Sequence, residues 1–216
     1  MADFTRNGYG QVEPNQLSAQ KTGQIYASLP LDSEVDVLQN GEFMYYDQAN
    51  GSVNCGKDGS VAGTVATLGE PMLVFNEIKL YEPFYRTTYK DFAMIRVGDN
   101  YVTSDLATAG YGDGAETQGA TINPAHPDYG YRMDGIAPRL FKTNVGDIYT
   151  TNMVAKGTGI EYSVGDTLNL KKTSRNTLEL AANVASADKV SDIAFVVAKV
   201  YTMPDGQPGL KIQRVQ

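Results

Sequence analysis

From Gly23 onward, apolar residues come in short stretches that turn-forming residues interrupt every few positions. That spacing suits many short strands and does not sustain the three-to-four periodicity of helices. The clearest strand candidates are Gly23–Leu29, Glu42–Asp47, Met72–Tyr81, Phe92–Val97 and Tyr101–Ser104, followed by Asp147–Val154, Thr167–Lys171, Ile193–Met203 and Leu210–Val215. Pro204-Asp205-Gly206-Gln207-Pro208 separates the last two. There Pro presets one backbone angle and Gly accepts a positive one, so a closing β-hairpin is expected. A smaller unit recurs as Val97-Gly98-Asp99, Val145-Gly146-Asp147 and Val164-Gly165-Asp166, and more loosely as Asn40-Gly41-Glu42, each leading into strand-like sequence. Its unequal spacing excludes a solenoid or propeller, and local β-turn chemistry accounts for it. Helix formers gather only over Ser174–Val190, with Ser174 as cap, where one short helix is expected; a second is placed near Ala66 or Ala107.

These patterns define an all-β chain, a β-barrel or β-sandwich of short antiparallel strands with an extended N-terminal arm and long loops. Residues 1–22 form the arm, with Gly8, Gly10 and Pro14 among Asn, Gln and Ser, and residues 23–216 form the β-rich body. Within the body, 23–108 and 139–216 are candidate halves around the segment 109–138, which is rich in Gly, Tyr and Pro. A structureless stretch of that length marks function, a linker or contact with another chain. The 216 residues are enough for a real core, and the 22 Gly and 14 Tyr with no Trp fit a turn-rich globular protein. A single cysteine, Cys55, excludes an intramolecular disulfide, so packing, hydrogen bonding or assembly must hold the fold.

The formal charge of −7 argues against a nucleic-acid surface, because phosphate binding needs clustered Lys and Arg, and Lys171-Lys172 is the densest basic pair. No apolar stretch approaches the roughly 18–20 residues of a membrane span, and Met1–Gly8 lacks the pattern of a secretory signal, so synthesis as a cytoplasmic protein is expected.

A search for chemistry finds no catalytic constellation. The one histidine, His126, lies between Pro124 and Pro127, and no nucleophile elbow accompanies it. One Cys and one His cannot supply a zinc site. Asp32, Glu34 and Asp36 alternate so that a strand would put all three on one face; without the EF-hand glycine and terminal Glu they read as a solvated acidic edge rather than a Ca²⁺ site. Gly110-Tyr111-Gly112-Asp113-Gly114 carries an acid where an anion would sit, so it is no phosphate loop. No cofactor, metal or catalytic residue is expected. The aromatic cluster Tyr81, Phe84, Tyr85, Tyr89 and Phe92, with Arg86 in its midst, has the composition of a protein-binding surface, although a buried strand face would use the same tyrosines. The candidate partner-binding residues are Phe4, Tyr9, Val12, Tyr81, Phe84, Tyr85, Arg86 and Tyr89.

The segments Asn40–Asp47, Asn144–Tyr149 and Ser163–Leu168, together with the Ala194–Val215 hairpin, resemble the glycine-turn-then-strand segments of tailed-bacteriophage virion proteins, in particular head decoration (capsid cement) proteins. The chain is longer than the small members of that family, and Tyr81–Pro138 has no counterpart in them. The resemblance implies a non-enzymatic homo-oligomer, a trimer in the first instance, on the outside of a phage head, with the major capsid protein as partner and neither nucleic acid nor membrane. It also implies an arm that adds to the shell through strand addition, anchored by Phe4 and Tyr9, so that deleting residues 1–20 would leave the body folded while weakening attachment. Alternatives are a tail-tube or head-fibre subunit, with Lys79–Ser104 supplying a long hairpin, a carbohydrate-active β-sandwich hydrolase, and a carbohydrate-binding β-sandwich module.

Overall fold

The turn-punctuated sequence folds almost entirely into strands. In a computed structural model, the described residues are 4, 10–32, 34–35, 37–56, 68–76, 94–96, 137–203 and 206–216. They form β1 (Val12–Gln16), α1 (Ser18–Thr22), β2 (Ile25–Tyr26), β3 (Val37–Gln39), β4 (Phe43–Asp47), β5 (Ser52–Asn54), β6 (Met72–Val74), β7 (Met94–Arg96), β8 (Leu140–Phe141), β9 (Ile148–Thr151), β10 (Thr167–Lys172), β11 (Leu178–Ala182), β12 (Lys189–Thr202) and β13 (Pro208–Arg214). Eleven strands make one antiparallel sheet in the order β1-β9-β13-β12-β10-β11-β4-β6-β8-β2, with β5 on β4; β3 and β7 pair separately. The expectation of an all-β fold is borne out, but strand pairing does not close this sheet into a barrel.

The sheet instead rolls around its core. Phe195 on β12 and Phe43 on β4 are three strand spacings apart along the sheet, about 14 Å if it were flat. Their ring centroids lie 5.6 Å apart, and the Tyr149 ring on β9 meets Phe195 edge-on at 5.8 Å from the other side. Phe43, Tyr149, Phe195, Leu168, Leu178, Leu210 and Ile212 are wholly buried in this interior. Where a barrel would close, the chain crosses twice from one sheet end to the other: β1 to β2 through α1, and β8 to β9 through the turn at 142–147. Asp147 ties the crossings together by accepting the Ser18 amide and hydroxyl at 3.0 Å each, while the Lys142 amide donates to the Gln24 carbonyl at 3.1 Å.

Three of the four glycine-acid units are turns of one geometry, namely 39–42, 144–147 and 163–166. The glycine is third in each, with φ of +94° at Gly41, +96° at Gly146 and +94° at Gly165, as a type II turn requires. The fourth amide closes the turn on the first carbonyl: Glu42 to Gln39 at 3.2 Å, Asp147 to Asn144 at 3.0 Å, Asp166 to Ser163 at 3.1 Å. The acid side chain then accepts the first amide, at 2.7 Å from Gln39, 2.9 Å from Asn144 and 2.7 Å from Ser163. Each turn is finally stitched to its neighbour, as the glycine amide donates to, and the acid carbonyl accepts from, Val74, Arg214 and Val197 respectively. Val97-Gly98-Asp99 lies outside the described residues.

Three expectations change. The stretch Ser174–Val190 is not helical: it contains β11 and the start of β12, because Leu178 and Leu180 alternate into the core while Asn176 and Asn183, with φ of +57° and +54°, turn the chain at either end. The arm is part of the body over residues 10–22, where Val12 pairs with Thr151 and Glu13 with Thr150, and Phe4 also docks, its ring edge-on to Tyr162 at 5.1 Å. The candidate halves interleave in one sheet, β4 lying against β11 and β6 against β8. The C-terminal hairpin forms as expected, its turn closed by the Met203 amide on the Gln207 carbonyl at 2.7 Å.

Replacing Gly146 or Gly165 by Ala forces a side chain into left-handed backbone, which costs about 1–2 kcal/mol. Gly41→Ala should cost more, at least about 3 kcal/mol, since its Cβ would also stand 2.5 Å from Met153 Cβ and 2.6 Å from Thr151 Oγ1. Urea-denaturation midpoints should fall furthest for Gly41→Ala, with Gly146→Ala and Gly165→Ala close to one another. Deleting residues 1–20 removes Phe4, Val12, Leu17 and Ala19 from the core and bares β9, so a melting temperature well below that of the full chain is expected instead of an undisturbed body.

Candidate functional site

The structure places the partner-binding candidates in two groups. Phe4 and Val12 are 5% and 9% exposed, packed within their own chain, so meeting another chain would require them to leave that core. Tyr9, Tyr81, Phe84, Tyr85, Arg86 and Tyr89 lie outside the described residues, as do His126 and the glycine cluster at 110–114.

The acidic stretch near Asp32 does not form a strand face. Asp32 is buried, and its carboxylate accepts the Glu34 amide and the Ser52 hydroxyl, both at 3.0 Å, while Glu34 turns outward; Asp36 lies outside the described residues. Ser52 and Asn54 carry the network on to Asp47, whose Oδ2 accepts Asn54 Nδ2 at 3.0 Å and Asn50 Nδ2 at 2.6 Å. Desolvation pushes the Asp47 carboxyl up, but hydrogen bonds from the Asn50 side chain and amide, the Asn54 side chain and the Ala49 backbone outweigh it, and its pKa is held below the ordinary carboxylate value. Beside this network a pocket of about 110 Å³ is lined by Asp32, Glu34, Val35, Asn54, Cys55, Gly56, Lys172 and Asn176. Asp32 holds Ser52 at the start of β5, Asn54 bonds Asp47 at the end of β4 and accepts the Gly56 amide just after β5, and Cys55 is a buried free thiol. The arrangement braces a turn, and its hydroxyl–carboxylate contact, Ser52 on Asp32, is part of that brace.

A second buried carboxylate, Glu42, accepts Arg175 Nη2 at 2.5 Å, the Thr177 hydroxyl at 2.8 Å and the Gln39 amide at 2.7 Å, pinning the 39–42 turn to the β10–β11 connection. Arg214, 5% exposed, donates to the Thr143 carbonyl and to Glu70 Oε1, the latter at 2.9 Å. The Tyr149 hydroxyl is fully buried with no hydrogen-bond partner among the described residues, and burial drives its pKa well above the ordinary tyrosine value. No group of three or more His, Cys, Asp or Glu suited to a metal ion occurs among the described residues.

Sequence reasoning did not single out the surface positions that stand out structurally. Val145 and Val164, 68% and 67% exposed, occupy the same second position of two type II turns, and Val215 follows β13. Val200, 42% exposed, is instead inside a strand, on the part of β12 that continues beyond β10. Its signal was the unbroken run Ile193–Met203, longer than any expected neighbour. Comparisons with protein-family models, curated proteins and solved structures found no match to this chain.

Two titration limits follow. Asp47 has a folded pKa below its unfolded one, so its contribution to stability is present above about pH 4 and drains away as the pH falls further. Asp47→Asn should flatten that acid limb in urea midpoints measured across pH. At the alkaline end, burial pushes Tyr45 up to about 12 and also raises Tyr149 and Tyr162, so stability is full below about pH 10 and falls as the pH climbs toward 12. Tyrosinate absorbance should rise together with loss of far-ultraviolet circular dichroism.

Proposed function

We propose that this chain is a non-enzymatic virion structural protein that binds the outside of a phage capsid as a small homo-oligomer and stabilises the shell. The observation that carries this reading is the common geometry of three turns: the segments whose sequence resembles decoration proteins, Asn40–Asp47, Asn144–Tyr149 and Ser163–Leu168, begin strands in the same way, with an acid-capped type II turn stitched to a neighbour. The protected sheet ends favour a discrete assembly over a polymer. On β9, Asp147 turns its carbonyl to Arg214, so by alternation Thr150 faces β1 and bonds Glu13, which leaves Pro14 turned outward with no amide to offer another strand. The opposite end, β2, is two residues long. Because the arm is spent on β9, attachment in this reading relies on the body's surface.

Size-exclusion chromatography with light scattering, followed by sedimentation with capsid shells that lack the protein, tests it. A trimer or comparable oligomer that pellets with shells is the expected result. Formation of long tubes would move the protein to the tail, and a monomer that ignores shells but binds glycans would make it a carbohydrate-binding module; either result overturns the capsid reading.

A further inference from the structure

The β12–β13 ribbon carries a charge arrangement that its own fold does not need. Lys199 on β12 stands directly across from Lys211 on β13, so both ammonium groups lie on one face of the sheet. Like charges in directly opposed positions of an antiparallel pair are destabilising. A second cross-strand lysine pair, Lys171 on β10 and Lys189 on β12, has a carboxylate at hand: Glu179 on β11 lies across from Lys171 and approaches it to 3.6 Å. Lys199 and Lys211 have no carboxylate within ion-pair distance among the described residues, although the chain carries 25 acidic residues against 18 basic ones. The Lys199 ammonium lies 5.8 Å from the ring centre of Tyr201, whose hydroxyl is already committed to Glu13 Oε2 at 2.6 Å.

Among the described residues, the same stretch presents an unpaired backbone edge. β10 accompanies β12 only as far as Val196, and the Gly165–Asp166 turn takes both backbone groups of Val197. Beyond it, no strand among the described residues lies on that side of β12, where Lys199 is exposed and Val200 is 42% exposed. One edge lysine would suffice to deter unwanted pairing, as edge charges commonly do. Lys211, however, sits one strand inside the edge, where deterrence does not require it.

We infer that residues 199–202 of β12, with Lys211 beside them, form a docking edge for an extended acidic segment of another protein. Such a segment adds as a strand along β12, its backbone bonding the open edge, an apolar residue covering Val200 and a carboxylate placed against Lys199 and Lys211. A free backbone edge selects a peptide over other polyanions, and the paired ammonium groups select its charge. This inference deepens the capsid reading by naming the chemistry of the partner's contact segment, and it rests on that reading only for the partner's identity.

The test uses the full-length protein and two short capped peptides, one alternating Glu with Val and one alternating Gln with Val, followed through backbone amide chemical shifts. The Glu peptide should shift the amides of 199–202 and 211, and bind at least tenfold more tightly than the Gln peptide, with the difference closing at high salt. Lys211→Glu should lose that binding tenfold or more while its melting temperature stays level or rises, because Lys199 then faces a carboxylate; Lys199→Ala should weaken binding similarly. Equal binding of the two peptides, shifts elsewhere on the protein, or unimpaired binding by Lys211→Glu overturns the inference. A smaller oligomer for Lys211→Glu in light scattering would make the occupant a second copy and overturn the assignment to a different protein. If wild-type protein pellets with shells and Lys211→Glu pellets equally well, the docking edge is wrong and the capsid reading stands. If wild-type protein binds the Glu peptide selectively but ignores shells, the capsid reading falls and the edge remains.

Discussion

Phe195 receives Phe43 on one side and Tyr149 on the other, and the shape of the molecule depends on that meeting. Eleven strands laid flat would expose whichever face no second layer covered, whereas a sheet rolled until aromatic rings three strands apart touch buries its own interior. Aromatic pairs of this kind contribute about 0.5–1.5 kcal/mol each beyond their buried area. Rolling also brings the sheet ends near one another without requiring them to hydrogen-bond. The five residues of α1 and the turn at 142–147 then occupy the place of the missing strand pair, held by Asp147 and Ser18.

The recurring turn shows how one local solution is adapted to three depths. Asp166 is partly exposed and its cap on Ser163 needs no further support. Asp147 is 4% exposed and gains the amide and hydroxyl of Ser18. Glu42 is wholly buried, where a lone carboxylate would be strongly disfavoured, and it acquires both the Arg175 guanidinium and the Thr177 hydroxyl. The longer Glu side chain at the deepest site reaches those partners while still returning to the Gln39 amide. Depth, and not turn geometry, sets how many donors the acid collects.

Much of this was legible because strands and turns are specified by neighbours in sequence. The runs Glu42–Asp47, Thr167–Lys171 and Leu210–Val215 coincide closely with β4, β10 and β13, and the glycine at the third turn position announces its own backbone angle. Ser174–Val190 misled because Ala, Leu and Lys suit helices by propensity, while the deciding features were the two-residue alternation of Leu178 and Leu180 and the tolerance of Asn176 and Asn183 for left-handed backbone. The fate of Phe4 and Val12 was not legible at all. Nothing within the first 20 residues reveals that β9 and Tyr162 wait for them more than a hundred positions away, nor that Lys199 and Lys211 would stand face to face across a hairpin shifted by a bulge between Val197 and Lys199.

That separation bears on how the chain is made. β1 begins at Val12, and its pairing partner there is Thr151, 151 − 12 = 139 residues further on. At about 5–20 residues per second, roughly 7–28 s pass between synthesis of the two. β1 therefore emerges well before the strand it pairs with, and until β9 follows, its apolar residues are open to any chaperone or neighbouring chain that offers a strand edge.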